Sequence, residues 1–141
     1  MRFIKNGQDS FYQEILYNFI TLSQTEKGLN VIKSFIQELK DEQCQLKVID
    51  IIKSNPINYI ENPYSNYAFQ NIIKQWPLVI TNSLFPLILT HILQLSVQQC
   101  SSNVIETMLL NSPLEYRAKY INEVTSQKDV SSKYFIRYDR K

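Results

Sequence analysis

The sequence predicts an all-α chain organised as a short α-solenoid of about three helical repeats. Three observations carry this prediction. Apolar residues recur at helical spacing along most of the chain. Breakers are sparse, with two Gly and five Pro in 141 residues. Three segments also align with one another without gaps, at offsets of 37 and 36 residues. Strand-length alternation of apolar and polar residues is not found.

The elements follow in order. Phe11, Tyr12, Ile15, Leu16, Phe19 and Ile20 lie on one helical stripe, and Val31, Ile32, Phe35, Ile36 and Leu39 on a second. Lys40-Asp41-Glu42 interrupts, and Leu46, Val48, Ile49, Ile51 and Ile52 form a third stripe. Ser54-Asn55-Pro56 closes that helix and opens the next, with Asn55 as N-cap and Pro56 at the first helical position. Glu61-Asn62-Pro63 repeats the arrangement. Ser112-Pro113-Leu114-Glu115 is the clearest start: Ser112 caps, and Glu115 reaches back as the capping-box acid. Trp76, beside Pro77, is expected to anchor packing between units. His91 is expected to pack within a helix.

The repeat emerges from three segments, Lys27 to Ile36, Tyr64 to Ile73 and Cys100 to Leu109. The same offsets superpose Leu22, Tyr59 and Leu95 upstream and Val48, Phe85 and Ile121 downstream. Each segment places apolar pairs four residues apart: Val31/Ile32 with Phe35/Ile36, Ala68/Phe69 with Ile72/Ile73, and Val104/Ile105 with Met108/Leu109. Pairs four apart share a helical face and are expected to point into a core. Three other sets are then expected on an exposed edge: Leu29, Asn30 and Lys33; Asn66, Tyr67 and Gln70; Ser102, Asn103 and Glu106. Stacked repeats would align these edges as a ladder, the geometry that a linear polymer of bases requires. The array is expected over residues 11–125, as repeats of about 11–53, 54–90 and 91–125. Residues 1–10 form a lead, and 126–141 a tail or an incomplete further repeat.

Composition narrows the function classes. The chain is 44% hydrophobic and 20% charged, enough to build a core. A net charge of +2 permits an anionic partner without demanding one, so any bound nucleic acid should be held largely by base edges and stacking. Cys44 and Cys100 have no companions and His91 is the one histidine, which argues against a metal site. Free thiols fit a reducing compartment. The segment Met1 to Gly7 lacks the apolar core of a signal peptide, and the apolar run Leu84 to Leu95 is too short and polar for a membrane span, which takes about 20 residues. The expected location is the cytoplasm. No phosphate loop, no nucleophile with a nearby base and no cofactor motif is present, so no enzyme is expected.

Asn66-Tyr67-x-x-Gln70, preceded by Pro63-Tyr64-Ser65, resembles the recognition helix of a Pumilio (PUF) repeat. Ser102-Asn103-x-x-Glu106 resembles the next one. The resemblance implies a right-handed superhelix of three-helix repeats whose second helices read single-stranded RNA, one base per repeat. It implies that Asn66 and Gln70 flank the stacking Tyr67 to read uracil, and that Ser102 and Glu106 flank Asn103 to read guanine. The order is similar to the sixth and seventh of the usual eight repeats, and the first unit then matches the fifth. With RNA antiparallel to the protein, these two repeats would read 5′-GU-3′ in a UGU-type element of an mRNA untranslated region.

The chemistry of these residues agrees with that implication. A guanine edge offers two adjacent N–H donors, and the Glu106 carboxylate can accept both. Uracil offers acceptor, donor and acceptor, which mixed amides can meet. The Tyr67 ring can stack on bases, an interaction worth about 1–3 kcal/mol per base. The first repeat departs from the pattern: Leu29 cannot hydrogen-bond and Lys33 is donor-only, so Asn30 and Lys33 carry no base assignment. That departure supports an alternative, a degenerate scaffold that binds a protein partner through its extended surface. HEAT or armadillo repeats are the alternative fold, but run longer, at about 40–47 residues.

Overall fold

The computed structural model of the chain describes residues 10–89, 91, 94–95 and 97–126. The expected lead before Ser10 and the tail after Ser126 lie outside the described residues. Among the described residues the secondary structure is helical, without strands, as the breaker-poor sequence predicts. Helices α1 (Ser10–Tyr17), α2 (Phe19–Ser23), α3 (Glu26–Glu38) and α4 (Glu42–Lys53) come first. They are followed by α5 (Pro56–Glu61), α6 (Ser65–Gln75), α7 (Leu78–Thr81) and α8 (Leu84–Leu89). The chain continues through α9 (Gln99–Asn111) and α10 (Leu114–Ser126).

The helix starts rest on local chemistry. Thr25 caps α3, its hydroxyl accepting from the Gly28 N–H at 3.0 Å. Asp41 caps α4 by accepting from the Gln43 N–H at 3.1 Å. Pro56 occupies the first position of α5, as expected, but Asn55 makes no side-chain cap bond. Asn62 ends α5 and Tyr64 is the N-cap of α6, but the Asn62 Oδ1 does accept from the N–H groups of Tyr64 at 2.8 Å and Ser65 at 3.1 Å. Its own carbonyl accepts from the Asn66 N–H at 3.3 Å, and Pro63 lies in the turn just before α6 instead of at its first position. The expected capping box at Ser112 is not formed. Ser112 ends α9 in an extended conformation, and its hydroxyl turns back to donate to the Leu109 carbonyl at 3.3 Å. Helices end on extended residues such as Leu39, Asn62 and Trp76, and no described residue has a positive φ. A glycine-poor sequence can therefore still make many helix ends.

Packing follows the 36- and 37-residue offsets. Helices α3, α6 and α9 occupy equivalent positions and lie side by side, with α6 against both of the others. Helix α4 packs on α7, and α8 on α10, forming a second row. Phe85 and Tyr116 stack across that row, with centroids 5.6 Å apart and planes at 13°. The first helices are joined by Phe19 and Tyr59, stacked at 6.1 Å. Trp76 packs between units as expected, its buried indole N–H donating to the Ile36 carbonyl at 3.0 Å. The result is an all-α repeat solenoid with a continuous core running along it.

Four expected core positions differ, the first being Phe11, which is exposed at the start of α1. Val31 is exposed, while its equivalents Ala68 and Val104 are fully buried. Ala68 and Val104 lie on helices that follow another second helix, α3 and α6 respectively, whereas among the described residues no second helix precedes α3. Ile121 is likewise exposed where Val48 and Phe85 are buried. Leu46 also faces outward, and Cys44, Val48, Ile49 and Ile52 carry the buried stripe of α4.

Candidate nucleic-acid interface

A small residue opens each second helix. The buried hydroxyl of Ser65 donates to the Tyr59 carbonyl, and that of Ser101 to the Leu95 carbonyl at 2.6 Å. Gly28 holds the same position in α3. There a Cβ would overlap the carbonyl oxygen of Leu22, the equivalent of Tyr59 and Leu95. The first and second helices of each unit thus meet closely at this position, just ahead of the residues that follow.

Those residues do not all reach the surface. Asn30 and Lys33 are exposed, Tyr67 is 52% exposed, and Gln70, Ser102, Asn103 and Glu106 are half-buried. Leu29 and Asn66 are buried, which corrects the expectation that they share an exposed edge with Lys33 and Gln70. The reason is helical geometry. Leu29 leads the i+3, i+7 stripe through Ile32 and Ile36, and Asn66 leads the equivalent stripe through Phe69 and Ile73, all of them buried. Leu29 is therefore a core residue of the first unit.

A buried amide needs partners, and Asn66 has them. Its Nδ2 donates to the Asn62 carbonyl at 2.8 Å, and its Oδ1 accepts from Gln70 Nε2 at 3.1 Å. Gln70 Oε1 accepts from the hydroxyl of Thr107 at 2.8 Å, across to α9. Ser102 donates to the Gln99 carbonyl at 3.1 Å. Tyr67 and Gln70 thus stand on the outer edge of α6, with Asn66 beneath Gln70 and Thr107 beside it. Thr107 escaped the sequence reading, although it lies one residue after Glu106, which the offset pairs with Gln70.

No protein-family model matches the chain. It is 26% identical over 116 residues to Pumilio homolog 12 of Arabidopsis thaliana, covering 80% of this chain and 19% of that protein. It is 28% identical over 127 residues to Pumilio homolog 11 of the same plant, covering 89% and 22%. The chain thus spans about a fifth of the length of these curated relatives. Among solved structures it superposes on the Puf4 RNA binding domain bound to an HO endonuclease RNA 3′ UTR recognition sequence. The TM-score there is 0.78 at 13% identity, over 88% of this chain and 41% of that one. It also superposes on the Puf3 RNA binding domain bound to a Cox17 RNA 3′ UTR recognition sequence, with a TM-score of 0.71 at 19% identity, over 81% and 32%. The sequence likenesses and the shared solenoid agree: this chain resembles Pumilio homologues in sequence and has the repeat-solenoid fold of the Puf RNA binding domains.

Proposed function

We propose that the chain binds single-stranded RNA sequence-specifically, one base per repeat, in cytoplasmic post-transcriptional control of mRNA. The repeats are those of about 11–53, 54–90 and 91–125. The second reads uracil and the third guanine, giving 5′-GU-3′ in a UGU-type element. Tyr67 and Asn103 stack on bases. Gln70 presents its amide to uracil with Asn66 orienting it from below, and Ser102 with Glu106 meets the guanine edge. The observation that carries the reading is the placement of Tyr67 and Gln70 on the outer edge of α6, in register with Asn103 and Glu106 on α9. The curated relatives are Pumilio homologues, and the structural neighbours are RNA binding domains bound to 3′ UTR sequences.

Fluorescence anisotropy tests this with a short UGU-containing RNA, a matched ACA control and the Glu106→Ala variant. Preference for UGU that falls with Glu106→Ala is the expected result. Equal affinity for UGU and ACA would sink it.

A second reading, the protein-binding scaffold, is favoured by one observation. The outer row exposes apolar side chains, with Val79 77% and Leu114 75% accessible. These lie on the third helices, away from the tyrosine and amide edge of α6, so a protein contact there is compatible with RNA on the second helices.

A further inference from the structure

We infer that Thr107 sets the specificity of the second repeat, by fixing the Gln70 amide across the junction between α6 and α9. The inference rests on Gln70 facing a base, as proposed above. Its starting point is the chain of three hydrogen bonds from Thr107 through Gln70 and Asn66 to the Asn62 carbonyl.

The direction of that chain is fixed at one end. A backbone carbonyl can only accept, so Asn62 forces Asn66 to present Nδ2 to it. The Oδ1 of Asn66 then faces Gln70 and can only accept, which turns Gln70 Nε2 toward it. Gln70 Oε1 is left pointing at Thr107, whose hydroxyl must be the donor. An amide rotated by half a turn would set oxygen against oxygen at Asn66. Both ends of the Gln70 amide are thus determined, one by its own helix and one by the next repeat.

Thr107 departs from ordinary helical behaviour in doing this. A threonine inside a helix commonly bonds back to the carbonyl four residues earlier. Here the Thr107 hydroxyl, on a residue only 7% exposed, instead reaches α6, 37 residues back in the chain. The bond engages the Gln70 oxygen, and the second N–H of Gln70 Nε2 remains to meet a ligand. An N–H donor complements a carbonyl oxygen of uracil. It opposes the exocyclic amine that cytosine carries at the same place. Thr107 therefore acts as a positioning residue that makes the second repeat choose uracil over cytosine, without touching the base itself.

The test uses the full chain and two RNAs that differ only at the base opposite the second repeat, UGU and UGC. A third RNA, UAU, changes the base opposite Glu106. Thr107→Val keeps the shape and removes the hydroxyl. It is expected to lower the UGU-to-UGC affinity ratio about five-fold, the equivalent of one ordinary net hydrogen bond. The UGU-to-UAU ratio should stay as it was. Thr107→Ser, which keeps the hydroxyl, should retain the wild-type ratios. Thr107→Ala serves as a second hydroxyl-free variant if Thr107→Val fails to fold. A UGU-to-UGC ratio lowered by Gln70→Ala yet untouched by both hydroxyl-free variants would overturn the inference and spare the base reading. A ratio that Gln70→Ala also leaves unchanged, or a wild-type chain blind to the U-to-C change, would overturn both.

Discussion

The phenol of Tyr59 donates to Ser23 Oγ at 2.7 Å, joining two buried side chains 36 residues apart on α5 and α2. Ser23 in turn donates to the Phe19 carbonyl at 2.7 Å, and the Tyr59 ring stacks on Phe19. The first helices of neighbouring units are thus held by one aromatic stack and one relay of hydroxyls. Tyr59→Phe keeps the stack and removes the phenol oxygen. It should lower stability by about 1 kcal/mol, the net worth of one buried hydrogen bond. Urea titration should show an earlier midpoint with an unchanged slope.

The same burial gives an alkaline limit to stability. Desolvation pushes the Tyr59 phenol far above its usual range, against the opposing effect of its bond to Ser23. The Cys44 thiol is pushed from 9.0 up to about 11 by burial and then by the nearby Asp41 carboxylate, with Lys47 pulling it back. Both groups are neutral in the folded state and ionise earlier when unfolded. Their contribution is intact below the unfolded values and is lost as pH rises through them. Stability should therefore hold through neutral pH and decline between about 9 and 11. Cys44→Ala should make that decline shallower, and an identical slope in this variant would refute the assignment to Cys44.

Gly28 should tolerate no side chain. A Cβ there would overlap the Leu22 carbonyl oxygen and lie 2.8 Å from the carbonyl carbon, and backbone cannot swing aside as a flexible side chain can. Gly28→Ala should cost about 1–3 kcal/mol, in the range of overpacked cores, despite the better helix propensity of Ala. At the equivalent position, Ser101→Ala removes one hydrogen bond and adds no bulk, so its cost should be about 1 kcal/mol. Thermal melts of the two variants should rank them in that order.

The fold was legible because repetition multiplies a weak signal. One run such as Ile32, Phe35 and Ile36 could belong to any buried helix. Three runs at offsets of 37 and 36 residues imply side-by-side second helices, and α3, α6 and α9 lie that way. The proline at 56 marked a helix start, and that at 63 the turn before one, for a local reason that needs no tertiary context. Burial of individual residues was less legible, because it depends on neighbours. Val31 and Ala68 hold the same phase, yet Ala68 lies on a helix that follows another second helix, and among the described residues Val31 does not. Asn66 looked like a surface amide because it is polar. Its burial is possible only because Asn62 and Gln70 satisfy it, an arrangement that no spacing rule encodes. Thr107 was hidden for the same reason, since its partner lies in the preceding second helix.

Trp76 gives a test of the junction between the first two units. Its ring is buried and its indole N–H serves the Ile36 carbonyl at the end of α3, at 3.0 Å. Trp76→Phe keeps much of the apolar contact, loses ring volume and leaves that carbonyl without its indole donor. A loss of about 1–3 kcal/mol is expected, the desolvation cost of a buried acceptor left unmet. Hydrogen exchange should show faster opening in α3 than in α9. Uniform acceleration across both helices would mean that Trp76 supports the whole array instead of one junction.

The proposed base assignment makes its sharpest prediction at the third repeat. Ser102 and Glu106 stand one turn apart on α9, both half-buried, beside the Tyr67 and Gln70 edge of α6. A carboxylate accepts two N–H donors and so suits guanine, whereas a mixed amide suits the alternating edge of uracil. Replacing Ser102 with Asn and Glu106 with Gln gives α9 the residue types that α6 carries at those positions. The double variant should bind UUU-containing RNA better than UGU, reversing the wild-type order at that base. A reversal of about ten-fold in relative affinity is in reach, because a charge-assisted pair is worth about 1.5–3 kcal/mol. The comparison holds the phosphate backbone constant, so nonspecific electrostatic binding cancels in the ratio. An unchanged preference for guanine would show that the base is read by other residues, and α9 would lose its assigned role.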